Sequence, residues 1–532
     1  MQTVRDALHE LLRAQGMTTI FGNPGSTELP MLAELPDEFG YVLGLHEGVA
    51  VGMADGYAQI TGKPVLVNLH TAPGLGNAMG AIFTAQANKA PLLITAGQQA
   101  RSLMTMQATL TNRDAIRVPH PFVKWSFEPP RAQDVPHALA RGAALAAMAP
   151  SGPVFVSIPM DDWQQPVEQD AAAHAIGRRV SRRAGADPLA VAQLAEDLAV
   201  ARRPALIAGP EIDASGAWAQ AVALAEHATL EVWASPLPGS GRIGFPEDHP
   251  RFRGVLPPAV GPLSQTLEGY DLVLVVGAPV FCYYPNIPGP LLPEGTRLVL
   301  IGNDPDEAAR APMGDAIIGD VALTLRALLE CVPAGDRPAP EPVPAPEPAP
   351  ASTPMSGAQA VDALKAALPE EAILVVEAPA VIAPLRQRLR ISRPASYFLT
   401  SGGGLGFGLA ASVGIQLGCP QRPVVAVLGE GSAQYAIQAL WTAAAYEVPL
   451  TVLIMRNDEY AILKWFGALE GATDAPGLDL PGLDVAALAN AYGVPAQSVD
   501  EPEQLVTALR EAIATDGPRL VQARIAPGMA PL

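Results

Sequence analysis

Three cysteines in 532 residues, Cys282, Cys331 and Cys419, are too few and too scattered for a disulfide framework or a CxxC metal knuckle. Reduced thiols in a cytoplasmic protein are expected. Basic residues are also scarce: 34 Lys and Arg face 53 Asp and Glu, leaving a formal net charge of -19 and a pI near 4.8. That balance is the opposite of the clustered cationic surface a phosphate backbone needs, so no nucleic-acid partner is expected. No uncharged run reads as a membrane span, because the longest, such as residues 399–418, are broken by glycine clusters and read as a loop entering a buried helix. The start, Met1 to Leu8, enters an amphipathic helical pattern directly and lacks the basic, apolar and small-residue regions of a secretory signal.

What is present is apolar material, 49% of the chain, enough for several buried cores. At roughly 100–200 residues per domain, the length predicts about three domains. The clearest boundary is residues 333–354, where proline alternates with small or acidic residues in a pattern that predicts an extended polyproline II tether. A softer boundary falls near Gln164 to Ala186, which gives domains at 1–165, 186–332 and 355–532. In each, short apolar runs alternate with helical stretches: Tyr41 to Leu45, Val65 to Leu69 and Leu92 to Thr95; Ala205 to Gly209, Leu272 to Gly277 and Arg297 to Gly302; Ile373 to Val376, Val424 to Leu428 and Leu450 to Met455. Alternation of this kind predicts an α/β protein of three doubly wound parallel sheets.

Glycine-rich turns at the ends of these runs are the candidate sites. Gly22-Asn23-Pro24-Gly25-Ser26-Thr27-Glu28 follows a short strand, although alone it is an ordinary turn. Leu45-His46-Glu47-Gly48 places Glu47 where a strand gives way to a helix; complementing the helix dipole would account for an isolated glutamate there. Asn68-Leu69-His70-Thr71-Ala72-Pro73-Gly74 repeats the strand-to-loop pattern, and His70 alone reads as a satisfied loop residue. The turns at Gly209-Pro210 and Gly277-Ala278-Pro279 lack a GxGxxG fingerprint, so flavin or nicotinamide is not expected.

Taken in order, these motifs resemble the thiamin diphosphate enzymes of the pyruvate oxidase and acetohydroxyacid synthase group, and within it the benzoylformate decarboxylases. The resemblance runs through the whole chain and includes Phe21 to Pro30, Ala54 to Gln59, Ala147 to Pro159, Gly403 to Phe407 and Leu440 to Ala443. It implies that Glu47 contacts the cofactor's aminopyrimidine, whose imino form is the base that removes the thiazolium proton. Gly403, through its carbonyl, and Leu405, between the rings, are implied to hold the bent cofactor. Ser26 and His70 match residues that meet the substrate carboxylate and handle protons, whereas Tyr284 stands where a second histidine is expected. Tyrosine, with a reference pKa of about 10, is a poor proton shuttle near neutral pH. Ile462, Leu463 and Phe466 match the wall of the acyl pocket, with Ile462 in place of a smaller alanine.

The largest departures fall at the diphosphate and Mg²⁺. The family's Gly-Asp-Gly becomes Gly429-Glu430-Gly431, followed by Ser432, and its Asn-Asn becomes Arg456-Asn457. Glu430, Asn457 and the carbonyl of Glu459 are the implied metal ligands, and Glu430 is one methylene longer than the usual aspartate. Hydroxyl residues that bind the diphosphate are replaced by Ala378, Pro379 and Ala380. Two lost hydrogen bonds to a charged group, at roughly 1.5–3 kcal/mol each, would weaken cofactor binding about a hundredfold or more. Arg456 either compensates with a charge near the phosphates or is a solvent-facing residue after a strand. The expected activity is decarboxylation of a small-molecule 2-oxo acid to an aldehyde and CO₂. The alternatives are a carboligase resembling acetolactate synthase and a binding or structural subunit with a weakened cofactor site. A homo-oligomer, dimer or tetramer, is implied, with the site shared between subunits.

Overall fold

Apolar runs such as Val65–Leu69 and Leu272–Val276 are buried along their whole length, as strands covered on both faces must be. The protein is described by a computed structural model covering residues 2–236 and 241–529. The first sheet contains β1 (Thr19–Gly22), β2 (Gly40–Leu43), β3 (Val65–Leu69), β4 (Leu92–Gln98), β5 (Ser126–Phe127) and β6 (Val154–Pro159), in the order β2-β1-β3-β4-β6-β5. The second contains β7 (Pro204–Ala208), β8 (Glu231–Ala234), β9 (Phe252–Val255), β10 (Leu272–Val276), β11 (Arg297–Gly302) and β12 (Asp315–Ile318), in the order β12-β11-β10-β7-β8-β9. The third contains β13 (Ile373–Glu377), β14 (Tyr397–Leu399), β15 (Val424–Gly429), β16 (Leu450–Arg456), β17 (Ala496–Val499) and β18 (Arg519–Arg524), in the order β14-β13-β15-β16-β18-β17. The strand pairs are parallel throughout.

Three doubly wound parallel sheets are therefore present, as the sequence predicts, and the first and third share one strand order. In such sheets ligands bind beyond the carboxyl ends of the strands where the order reverses. Those points lie between β1 and β3, between β7 and β10, and between β13 and β15. The first is followed by the Gly22 to Glu28 turn and by His70; the third is followed by Ala378 and by Glu430.

The outer sheets are locked together by two helices, α1 (Glu47–Thr61) and α3 (Phe407–Gly418), while α2 (Thr71–Ala87) packs beside α1. A Cβ on Gly56 would overlap the Ala411 backbone, and one on Gly414 would overlap the Met53 carbonyl. Only glycine lets the two helices approach this closely. Val49, Met53, Phe407 and Val413 join one core spanning both sheets. The 333–354 stretch forms no helix or strand and is held to the middle domain, where the Arg337 guanidinium donates to the carbonyls of Leu198, Ala201 and Ala228. The softer boundary at residues 164–186 contains a helix, Gln169–Gly177, whose Ala172 and Ile176 pack into the first core. Among the described residues no helix is long and apolar enough to cross a membrane.

Candidate active site

His46 caps α1 by accepting from Gly48 N at 3.1 Å, which sets Glu47 at the first helical position, 7% exposed. Glu47 Oε2 accepts from Asn77 Nδ2 at 3.1 Å, and Oε1 has no hydrogen-bond donor among the described residues. Gly74 brings α2 against this carboxylate: a Cβ there would stand 2.9 Å from Glu47 Oε1 and 3.2 Å from His70 Cβ. Glu47 and His70 are thus neighbours around one glycine.

His70 precedes α2, and its Nδ1 lies 2.8 Å from Glu28 Oε2 and 3.3 Å from Thr27 Oγ1. The buried Glu28 carboxylate also accepts from Gly25 N and Gly97 N, each at 2.8 Å, so it is fixed from three sides. A carboxylate at Nδ1 selects the tautomer protonated there and leaves the lone pair on Nε2. The ring lies so close to the turn that a Cβ on Gly25 would overlap it. Ser26, on the same turn, is exposed. Sequence reasoning gave Glu28 and Asn77 no role; the signal for Glu28 was an acid three residues after a turn glycine, the spacing at which a side chain reaches back to a backbone N–H.

At the third sheet, β15 ends in Gly429 and a single turn, α4 (Glu430–Ala433), begins with Glu430, 2% exposed. Burial raises its pKa above the ordinary carboxylate value, partly offset by backbone N–H groups including Asn457 N, which donates to Oε1 at 3.1 Å. Gly431 is packed under the Tyr460 ring, where a Cβ would stand 2.5 Å from Cε1, and Ser432 is buried beside it. One terminal atom of the Asn457 side-chain amide lies 3.2 Å from Glu430 Oε1 and 2.8 Å from the Glu459 carbonyl oxygen. With nitrogen at that position the amide donates to both; with oxygen there, three oxygens face one another. Cis ligands about 2.0–2.1 Å from an octahedral Mg²⁺ stand roughly 2.9 Å apart. The spacing therefore fits a hard cation despite the longer Glu430 side chain. The Glu459 carboxylate is held away by Gly528 N at 2.6 Å and by Lys464.

Gly403, at φ +71°, has open space around it, and Leu405 is half-buried. Their loop is anchored by Glu377, whose carboxylate accepts from Gly406, Phe407 and Gly408 N at 3.0, 3.1 and 3.2 Å. Burial pushes the Glu377 pKa up to about 8 against the pull of those N–H groups. The sequence showed only an acid ending an apolar strand. Tyr284, 57% exposed, meets Phe466 with ring centroids 4.8 Å apart, which brings the middle domain onto α5 (Ala461–Glu470). Ile462 is half-buried and Leu463 exposed on the same helix. Arg456 Nε donates to Asp458 Oδ1 at 2.7 Å, a local ion pair. Ala378 is buried, and Pro379 starts a short 3-10 turn.

Residues 2–117 match the thiamine pyrophosphate enzyme N-terminal TPP-binding domain, 191–328 the central domain and 383–523 the C-terminal TPP-binding domain; thiamine pyrophosphate is thiamin diphosphate. A benzoylformate decarboxylase of Pseudomonas aeruginosa is 48% identical over 98% of both chains. Among solved structures, a thiamine diphosphate-dependent 4-hydroxybenzoylformate decarboxylase of Rhodococcus jostii RHA1 is 44% identical, with a TM-score of 0.96 over 99% of this chain and 100% of that one. A benzoylformate decarboxylase of Polynucleobacter necessarius is 40% identical, with a TM-score of 0.97 over the whole of both chains. With all three family domains matched in order and a relative 48% identical along nearly its full length, the chain belongs to the thiamine pyrophosphate enzymes.

Proposed function

We infer that this chain is a thiamin diphosphate-dependent, non-oxidative 2-oxo-acid decarboxylase that releases an aldehyde and CO₂. The observation that carries the reading is the adjacency of Glu47 and the Glu28–His70 pair around Gly74, in a chain 48% identical to a benzoylformate decarboxylase. When bound, thiamin diphosphate supplies the nucleophilic carbon that adds to the 2-oxo group and takes up the electron pair as CO₂ leaves. Glu47 Oε1, without a protein donor, is suited to meet the pyrimidine end, with Asn77 orienting the carboxylate. Glu430, Asn457 and the Glu459 carbonyl would hold Mg²⁺, and the backbone at Gly431 and Ser432 the diphosphate. His70, its Nδ1 proton held by Glu28, is assigned to proton transfer at the reacting carbon through Nε2. Ser26 is assigned to the substrate carboxylate.

An aryl 2-oxo acid such as benzoylformate is the proposed substrate, its ring enclosed by Phe466, Leu463 and Ile462. Tyr284 stacks on that wall and offers a hydroxyl where a second proton-handling group would stand, which favours carboligation as the second reading. Incubation with benzoylformate, pyruvate and branched-chain 2-oxo acids decides between them. CO₂ with stoichiometric free aldehyde supports the decarboxylase; CO₂ with a 2-hydroxyketone and little aldehyde supports the ligase. Absence of calorimetric heat and thermal shift at millimolar thiamin diphosphate with Mg²⁺ would remove both.

The two halves of the site are proposed to meet between subunits. On one chain Glu47 packs on Gly74 at the start of α2, whereas Gly402 and Gly404 pack on Phe83 and Thr84, nine residues or about 13 Å farther along that helix. Co-expressed Glu47→Ala and Glu430→Ala chains, each inactive alone, should recover about a quarter of the wild-type activity, because half of the random dimers are mixed and each has one intact site. No recovery would place both halves on one chain.

A further inference from the structure

The middle domain has a switch point of its own between β7 and β10, and its crevice is already filled from another domain. Lys89, in the turn after α2, extends its ammonium into it, 2.5 Å from Glu211 Oε1, 3.1 Å from Glu307 Oε2 and 3.4 Å from Asp304 Oδ2. Glu211 is fixed there: its N donates to the Gly277 carbonyl at 3.0 Å, and its second oxygen accepts from Asn303 N at 3.3 Å. A Cβ on Gly209 would overlap the Gly277 backbone, so the loops after β7 and β10 touch. Three carboxylates around one ammonium repel phosphates.

Lys89 occupies this position against its backbone preference. Its φ is +55°, a left-handed conformation that glycine adopts without a Cβ penalty. Its neighbour ties the first domain to the third. Asn88 Nδ2 donates to Asp55 Oδ2 on α1 at 2.8 Å, and Asn88 Oδ1 accepts from Ser401 N at 2.9 Å. Ser401 opens the loop that carries Gly403 and Leu405. Two adjacent residues thus connect the middle domain's carboxylates, α1 and the loop assigned above to the cofactor.

We propose that Asn88 and Lys89 form a positioning dipeptide: the middle domain's crevice is a socket for the Lys89 ammonium rather than a nucleotide site, and its occupancy fixes Asn88 and, through it, the Ser401 to Leu405 loop. The consequence for cofactor affinity rests on the proposed function; the socket does not. Both carboxylate neighbours of Lys89 beyond Glu211 belong to the first turn of one helix, Pro305–Arg310, or to its cap, Asp304, so the ammonium also neutralises charge gathered at that cap.

Lys89→Gly gives a test by sign. On backbone grounds it relieves strain and should raise the melting temperature; with the socket emptied it should lower it by several degrees. Hydrogen exchange at Ser401 to Gly404 should quicken in the absence of cofactor, and the thiamin diphosphate dissociation constant should rise several-fold. Adding Glu211→Gln to Lys89→Gly should restore part of the lost melting temperature, because it removes an uncompensated carboxylate. An unchanged or raised melting temperature, or unchanged exchange at the loop, overturns the proposal. Should Lys89→Gly fail to fold, Glu211→Gln alone must lower the melting temperature and quicken the same amides; if it does neither, the proposal falls. Failure of the wild-type protein to bind thiamin diphosphate would overturn the proposed function, leaving the apo-protein measurements to judge the socket.

Discussion

Glu377 is the position at which the fold makes the sharpest demand on a titratable group. It lies at the end of β13, 2% exposed, and satisfies three N–H groups at the start of α3. Replacing it with alanine leaves those donors without their acceptor at a buried position. At about 1–2 kcal/mol for each, the loss is roughly 3–6 kcal/mol. For a domain of this size a change of 1 kcal/mol moves the melting temperature by about 2–4 °C, so Glu377→Ala should melt about 10 °C lower. The Gly402 to Leu405 loop would lose its anchor as well.

The pH dependence follows with a definite sign. The folded carboxyl keeps its proton up to about 8, whereas the unfolded chain releases it near the ordinary glutamate value. Between those values the folded state binds more protons, so this group's stabilisation is present at low pH and is lost as pH rises toward 8. Asp55, buried and pushed up to about 7, contributes with the same sign. Calorimetric melting of the apo protein from pH 5.5 to 8.5 should show a falling midpoint. Glu377→Gln, which stays neutral, should flatten the fall and leave the slope due to Asp55. A Glu377→Gln slope equal to that of the wild type, or a Glu377→Ala midpoint within 2 °C of it, would refute the argument.

Three further outcomes are expected. Glu28→Gln should lower kcat roughly a hundredfold with little change in cofactor affinity, because His70 loses the carboxylate that fixes its tautomer; steady-state kinetics at saturating thiamin diphosphate measure it. Gly74→Ala should weaken the affinity for thiamin diphosphate by about an order of magnitude, since its methyl must displace the Glu47 carboxylate; equal titration curves for variant and wild type would rule out the assigned contact. Tyr284→His should raise the ratio of free aldehyde to 2-hydroxyketone, read by product chromatography, if the group at this position returns a proton to the product.

How much of this was legible in the sequence depended on where each residue's partners come from. Central strands were readable because burial on both faces requires uninterrupted apolar runs, as in Leu272–Val276; the edge strands β12 and β17 are largely exposed and carry no such buried run, and the run of β14 is only three residues long. The turns that hold Glu47 and His70 were legible as turns, whereas roles for the two residues came only from the resemblance. Glu377 was not legible, because its donors are backbone N–H groups of a remote segment, Gly406 to Gly408, and Glu28 only in part, because Gly25 N is local whereas Gly97 N and His70 are remote.

The proposed metal site shows the same distinction at closer range. Adjacency in sequence joined Arg456 to Asn457, yet the two residues do different work: Arg456 pairs with Asp458, two positions away, while Asn457 turns toward Glu430 and the Glu459 carbonyl. Asp458 at φ +60° bends the chain so that the Glu459 carbonyl reaches the Asn457 side chain. The extra methylene of Glu430 is therefore not an isolated defect to be offset by a nearby charge. It is accommodated where the carboxylate lies, with Asn457 N on Oε1 and the Asn457 amide within 3.2 Å. What stays unbalanced is the proposed contact to the diphosphate itself, where Ala378, Pro379 and Ala380 offer no hydroxyl and the Arg456 charge is already paired with Asp458. Weakness in cofactor binding should accordingly appear as diphosphate affinity rather than as loss of metal, a difference resolved by titrating Mg²⁺ at fixed thiamin diphosphate and the cofactor at fixed Mg²⁺.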